Sequence, residues 1–155
     1  YELIRPVQQD IPTMTADFRI TRTIAAAPHV VWAILTNAET LSCGDFGIIT
    51  LKGPIAAGAR IKLTSSADPK RTFALRVTMP DPGRRMMWSG GMPFGLFTGQ
   101  RTFTLVETGA GTQFMMEEQF MGPLRHLIGK SIPDLNPSFN AFADGLQHHA
   151  EGTSA

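Results

Sequence analysis

The chain has 155 residues, 43% of them hydrophobic and 17% charged, with a formal net charge of +1. That is ordinary globular composition for one domain, long enough to bury roughly two-thirds of its unfolded surface. The near-neutral charge, with Lys70-Arg71 and Arg84-Arg85 as short basic pairs near turns, excludes a polyanion-binding surface, so no nucleic-acid partner is expected.

Residues 1–16 carry Pro6 and Pro12 with little periodicity and read as an N-terminal arm without an apolar leader. The domain itself is expected over 17–151, with a short tail at 152–155. From Asp17 to Ile24 the pattern alternates as a strand, with Phe18, Ile20 and Ile24 on one face and Arg22 on that same face. Ala27-Pro28-His29 opens a short helix, since proline suits the first turn, and Val30, Val31, Trp32, Ile34 and Leu35 make it strongly apolar. Residues 37–42 read as a second short helix or turn.

Six strands follow at the spacing of an antiparallel meander, over 46–51, 59–65, 72–78, 85–89, 96–106 and 112–120. Gly53-Pro54, Asp68-Pro69 and Pro80-Asp81-Pro82-Gly83 supply turn signals between them. A short helix is expected at 123–130, and a long one begins anew past Ser131 and Pro133. Along it Leu135, Phe139, Phe142 and Leu146 recur at helical spacing, with Ala143 and Ala150 filling the same stripe. That face, about 100° wide, must be buried. The order β-α-α-β(six)-α is α+β: a curved antiparallel sheet of about seven strands around one long C-terminal helix.

Ile24-Ala25-Ala26-Ala27-Pro28-His29-Val30-Val31-Trp32-Ala33-Ile34-Leu35 fits an I-x-A-P-x-x-V-W-x-x-L signature across the end of a strand and the start of a helix. With Gly58-Ala59-Arg60-Ile61, Met86-Met87-Trp88-Ser89-Gly90 and Glu118-Gln119-Phe120-Met121-Gly122, the chain resembles the START-related helix-grip superfamily (SRPBCC). Within it, the resemblance is to the polyketide cyclase/dehydrase and lipid-transport branch. It spans about Phe18 to Glu151 and implies a helix-grip fold with a cavity between sheet and helix. It implies no universal catalytic motif, because relatives include carriers, receptors, cyclases and aromatases.

Glu118 alternates with Thr112, Phe114, Met116 and Phe120 and so shares their inward face; Phe97, Gly99, Arg101, Phe103 and Leu105 share a face on the strand before it. A turn through Thr108-Gly109-Ala110-Gly111 sets Glu107 opposite Thr112, Phe103 opposite Met116 and Arg101 opposite Glu118. Arg101 and Glu118 are then either a structural ion pair at a cavity edge or the polar groups that orient a ligand. Arg22 could bind a ligand carboxylate or snorkel to water. Met86, Trp88, Phe97, Phe103, Met116 and Phe120 from the sheet, with Phe139, Phe142 and Leu146 from the helix, are the expected apolar lining. Gly44, Gly47, Gly90, Gly91, Gly95 and Gly99 suggest mobile loops near a mouth.

The four histidines, His29, His126, His148 and His149, do not form a recognisable metal set, and no phosphate loop, dinucleotide fingerprint or nucleophile elbow is present. No metal or cofactor is expected. Cys43, the single cysteine, reads as a small buried or semi-buried thiol; with no internal disulfide available to it, a reducing, cytoplasmic setting is expected. The expected partner is a small apolar or amphipathic molecule, held by a carrier or sensor that is a monomer or weak homodimer. The alternative is a cyclase/dehydratase-like enzyme without metal, Glu118 acting as general acid/base and Arg101 polarising a carbonyl. That chemistry needs Glu118 inside the cavity without a tight partner. A protein-interaction module with a filled core is the second alternative.

Overall fold

The computed structural model describes residues 16–153; the rest of the expected arm and the last two residues of the tail lie outside it. Seven strands form one antiparallel sheet: β1 (Phe18–Ile24), β2 (Ile48–Lys52), β3 (Arg60–Ser65), β4 (Phe73–Asp81), β5 (Arg85–Gly91), β6 (Thr98–Thr108) and β7 (Gly111–Met121). The helices are α1 (Pro28–Leu35), α2 (Ala38–Leu41), α3 (Arg125–Gly129) and α4 (Asn136–Thr153). The sheet order is β1-β7-β6-β5-β4-β3-β2, so the first strand closes onto the last while the others form a meander. This is the helix-grip α+β architecture expected from the sequence.

Local chemistry explains the boundaries. Pro28 starts α1 behind Ala27, whose extended backbone (φ −65°, ψ 151°) ends the preceding turn. Asn37 caps α2 by accepting the Thr40 backbone N–H. Gly111 starts β7 at φ +139°, and a Cβ there would collide with the Ile24 carbonyl, so glycine lets β7 lie against the end of β1. Beside it the Thr112 hydroxyl donates to the Ala26 carbonyl at 2.7 Å in a fully buried contact.

The stripe on α4 is buried as its period requires: Leu135, Phe139, Phe142, Ala143, Leu146 and Ala150 all lie in the core. Each large side chain there contributes roughly 1.5–3 kcal/mol of transfer free energy. Phe142 is the hub, its ring meeting Phe46, Phe103 and Phe114 at centroid distances of 5.5, 5.7 and 6.2 Å.

Several boundaries differ from expectation by one to three residues, and two of the differences have a clear local cause. β2 starts at Ile48 rather than Phe46, because Phe46 is taken as a loop anchor under α4, 1% exposed. β4 continues through Pro80 to Asp81, with an irregularity in its pairing to β5 between Thr78 and Asp81 that absorbs the missing N–H.

Candidate functional site

At one end of the sheet the helix stripe stops and the concave face opens into a cavity of about 620 Å³. Its walls come from the β3–β4 turn and the start of β4 (Ala67, Asp68, Thr72, Phe73, Leu75), the end of β5 (Trp88, Gly90, Gly91), Met92 and Phe97 beyond it, and the α3–α4 connection (Ile128, Ile132, Pro133, Leu135). The sheet wall is completed by Gly99 and Arg101 of β6 and by Glu118 and Phe120 of β7.

The expected hairpin register is the observed one: Glu107 opposes Thr112, Phe103 opposes Met116 and Arg101 opposes Glu118. A row of side chains therefore crosses three strands, because Trp88 on β5 also stands opposite Arg101. Arg101 Nε–H donates to Glu118 Oε2 at 2.9 Å, and the two side chains are only 14% and 12% exposed. The guanidinium carbon lies 4.9 Å from the centroid of the Phe139 ring, so α4 supports the pair from below with a cation–π contact. Among the described residues, only Nε of Arg101 has a hydrogen-bond partner, which leaves the four terminal N–H donors for something else. Trp88 is 1% exposed, and its buried Nε1 has no hydrogen-bond partner among the described residues. The unmade bond of Nε1 is a cost of packing the indole into the core rather than a contact offered to the cavity, since that atom is itself buried.

The pair marks the border between core and cavity. One step inward, Phe103 and Met116 are fully buried; one step outward, Gly99 faces Phe120, whose ring stacks on Phe97 at 5.6 Å. Of the residues expected to line a ligand site, Trp88, Phe97, Arg101, Glu118 and Phe120 border the cavity, and Phe139 touches it through Arg101. Met86, Phe103, Met116, Phe142 and Leu146 do not: they are buried in the core between the sheet and α4. Arg22 does not reach the cavity either. Its Nη1 donates to Asp144 Oδ1 at 2.7 Å and to Gln147 Oε1 at 3.0 Å, tying β1 to α4.

The wall contributed by β3 and β4 was missed in the sequence, although Leu63, Phe73 and Leu75 alternate in the manner of a lined face. Of the glycines read as mouth residues, Gly90, Gly91 and Gly99 border the cavity, whereas Gly44 and Gly47 lie between α2 and β2. Cys43 is exposed rather than buried, and His149 and Asp45 stand beside it.

The family model described as polyketide cyclase / dehydrase and lipid transport matches residues 15–151. The chain belongs to this family. Its fold is also that of solved structures at low identity. The TTHA0849 protein of Thermus thermophilus is 19% identical, with 88% of this chain and 98% of that one covered at a TM-score of 0.67. A START superfamily protein of Mycobacterium smegmatis is 14% identical, covering 88% and 97% at 0.62. The Zhui aromatase/cyclase of Streptomyces sp. R1128 is 14% identical, covering 86% and 92% at 0.67. No curated protein gives a match. Membership in the polyketide cyclase/dehydrase and lipid-transport family agrees with the observed sheet and its C-terminal helix. Among the described residues no helix is long and apolar enough to cross a membrane.

Proposed function

We propose that this protein binds one small amphipathic molecule in the 620 Å³ cavity, with its apolar body against Phe73, Leu75, Phe97, Phe120 and Ile132. An oxygen-bearing group of the ligand, a carboxylate or carbonyl, accepts from the terminal nitrogens of Arg101. The observation that carries this reading is Arg101, largely buried and with its terminal nitrogens unpartnered among the described residues, on the wall of an otherwise largely apolar space. Burying about 300 Å² of apolar ligand surface supplies roughly 7 kcal/mol before ordering costs. Charge-assisted hydrogen bonds add about 1.5–3 kcal/mol and fix the ligand's direction.

A carrier or sensor role is favoured over acid–base catalysis by the engagement of Glu118. Its carboxylate already accepts from Arg101 at 2.9 Å, so it orients the guanidinium rather than waiting for a substrate proton. A cavity of this size also argues against the filled-core interaction module.

Native mass spectrometry of the purified protein, followed by organic extraction, tests the proposal. A stoichiometric co-purifying lipid or aromatic acid, or one-to-one uptake of an added carboxylate, supports it. A protein that emerges empty, and ignores both added carboxylates and an apolar naphthalene-sulfonate dye, contradicts it.

A further inference from the structure

A second convergence of side chains lies far from the cavity. Leu135 borders the cavity ahead of α4, whereas His149 sits near the helix's other end, ~20 Å away at 1.5 Å per residue. There His149 Nε2 is 2.8 Å from Asp45 Oδ2 and 3.7 Å from Cys43 Sγ. The three potential ligand atoms all lie within 4.8 Å of one another.

We propose that Cys43, Asp45 and His149 form a binding site for one divalent transition-metal ion of the zinc type, with a fourth position left open. The donor set is thiolate, imidazole and carboxylate, which suits a borderline ion such as Zn²⁺ and not the all-oxygen preference of Mg²⁺ or Ca²⁺. The geometry points the same way. In a nucleophile–base–orienter relay, cysteine and aspartate would take different nitrogens of the imidazole. Here both approach Nε2, as ligands sharing one cation do. Tetrahedral bonds of about 2.3 Å to sulfur and about 2.0–2.2 Å to nitrogen and oxygen place ligand atoms ~3.5 Å apart. The three side chains reach that spacing with movements of about an ångström.

The backbone holds the three residues together in advance. Gly44, at φ +105°, turns the loop between Cys43 and Asp45 through a conformation that side chains resist. Phe46 then plants the loop under α4, its ring 5.1 Å from the His149 ring and 5.5 Å from that of Phe142. Gly145, one helical turn before His149, has no Cβ, and any Cβ there would strike the Asp45 carbonyl. The loop thus rests directly on the helix that carries His149. A bound ion would clamp the α2–β2 loop to α4 and offer its open position to water or to an exogenous donor.

The test is titration of the chelator-treated full chain with Co²⁺ and then Zn²⁺. The expected result is one equivalent of Co²⁺ bound, with a thiolate-to-cobalt charge-transfer band and the visible bands of tetrahedral coordination, both abolished by one equivalent of Zn²⁺. Cys43→Ser and His149→Gln should each weaken binding more than about 100-fold, while His148→Gln, at the adjacent ring, changes it less than about three-fold. Zinc should raise the melting temperature of the wild type and not of Cys43→Ser. Circular dichroism establishes that the variants fold, as exposure of Cys43 leads one to expect. Absence of a charge-transfer band at millimolar cobalt overturns the proposal. So does binding that survives Cys43→Ser, or binding lost with His148→Gln and kept with His149→Gln.

Discussion

Arg101 and Glu118 face each other across β6 and β7, joined by a 2.9 Å hydrogen bond from Nε to Oε2, at the line where packed core gives way to cavity. A single ion pair in this position has two uses. It ends the dry interior without leaving a lone charge, and it leaves the remaining guanidinium donors of Arg101 on a side chain that borders the cavity.

Breaking the pair on one side should cost more than removing both charges. Arg101→Met leaves a largely buried carboxylate alone and is expected to lower stability by about 3 kcal/mol. In the double variant Arg101→Met/Glu118→Leu the loss should shrink below that of either single change, giving a coupling of about 1 kcal/mol or more. Urea denaturation of the four proteins of the cycle measures it.

Trp88→Phe separates stability from binding. It removes a buried donor that has no partner among the described residues and also some ring volume, so the two effects nearly cancel and unfolding free energy changes by less than about 1 kcal/mol. Affinity for a carboxylate ligand should stay close to that of the wild type, because the indole N–H is itself buried and the ring wall of the cavity is kept. Calorimetric titration alongside thermal unfolding reads both.

Gly145→Ala sets helix propensity against a backbone contact. Alanine favours the helix by about 1 kcal/mol, but its Cβ would strike the Asp45 carbonyl. Net destabilisation of about 1–3 kcal/mol is expected, with the Cys43–Phe46 loop pushed off α4. Denaturant midpoints, and faster labelling of Cys43, would show it.

Acid should loosen the closure between α4 and the β1–α1 turn. The Ala25 N–H, and then the Gln147 amide, hold the Glu151 carboxyl below its ordinary value of 4.5. A folded-state pKa depressed in this way contributes stability that is complete above the unfolded value and is lost as pH falls through the folded one. Between the two values the unfolded chain binds more protons, so stability rises with pH. Glu151→Gln should flatten that acid limb of a urea-midpoint profile and leave the neutral region parallel to wild type.

How much of this could be read in the sequence depends on the range of the interactions. The Arg101–Glu118 register was legible because a two-residue hairpin fixes it and the period-two alternation carries it along both strands. The burial of Phe139, Phe142 and Leu146 was legible from helical spacing. The boundary between core and cavity was not, since Met116 and Glu118 share one face and only the resting place of α4 decides which is covered. Arg22 shows the same limit: its strand face was read correctly, but Asp144 and Gln147 arrive from a helix more than a hundred residues later. The meeting of Cys43 and Asp45 with His149 spans a similar separation, and no local spacing announces it.

The measurement that tests the central claim most directly is a ¹H–¹⁵N titration that follows the two indole N–H signals, Trp32 and Trp88, while a medium-chain or aromatic carboxylate is added. The account predicts that the signal of Trp88, which borders the cavity, shifts and saturates at one ligand per chain, that Trp32 on α1 stays near its starting position, and that Arg101→Met abolishes the Trp88 shift. Saturable binding that leaves Trp88 unmoved, or that persists unchanged in Arg101→Met, would contradict it.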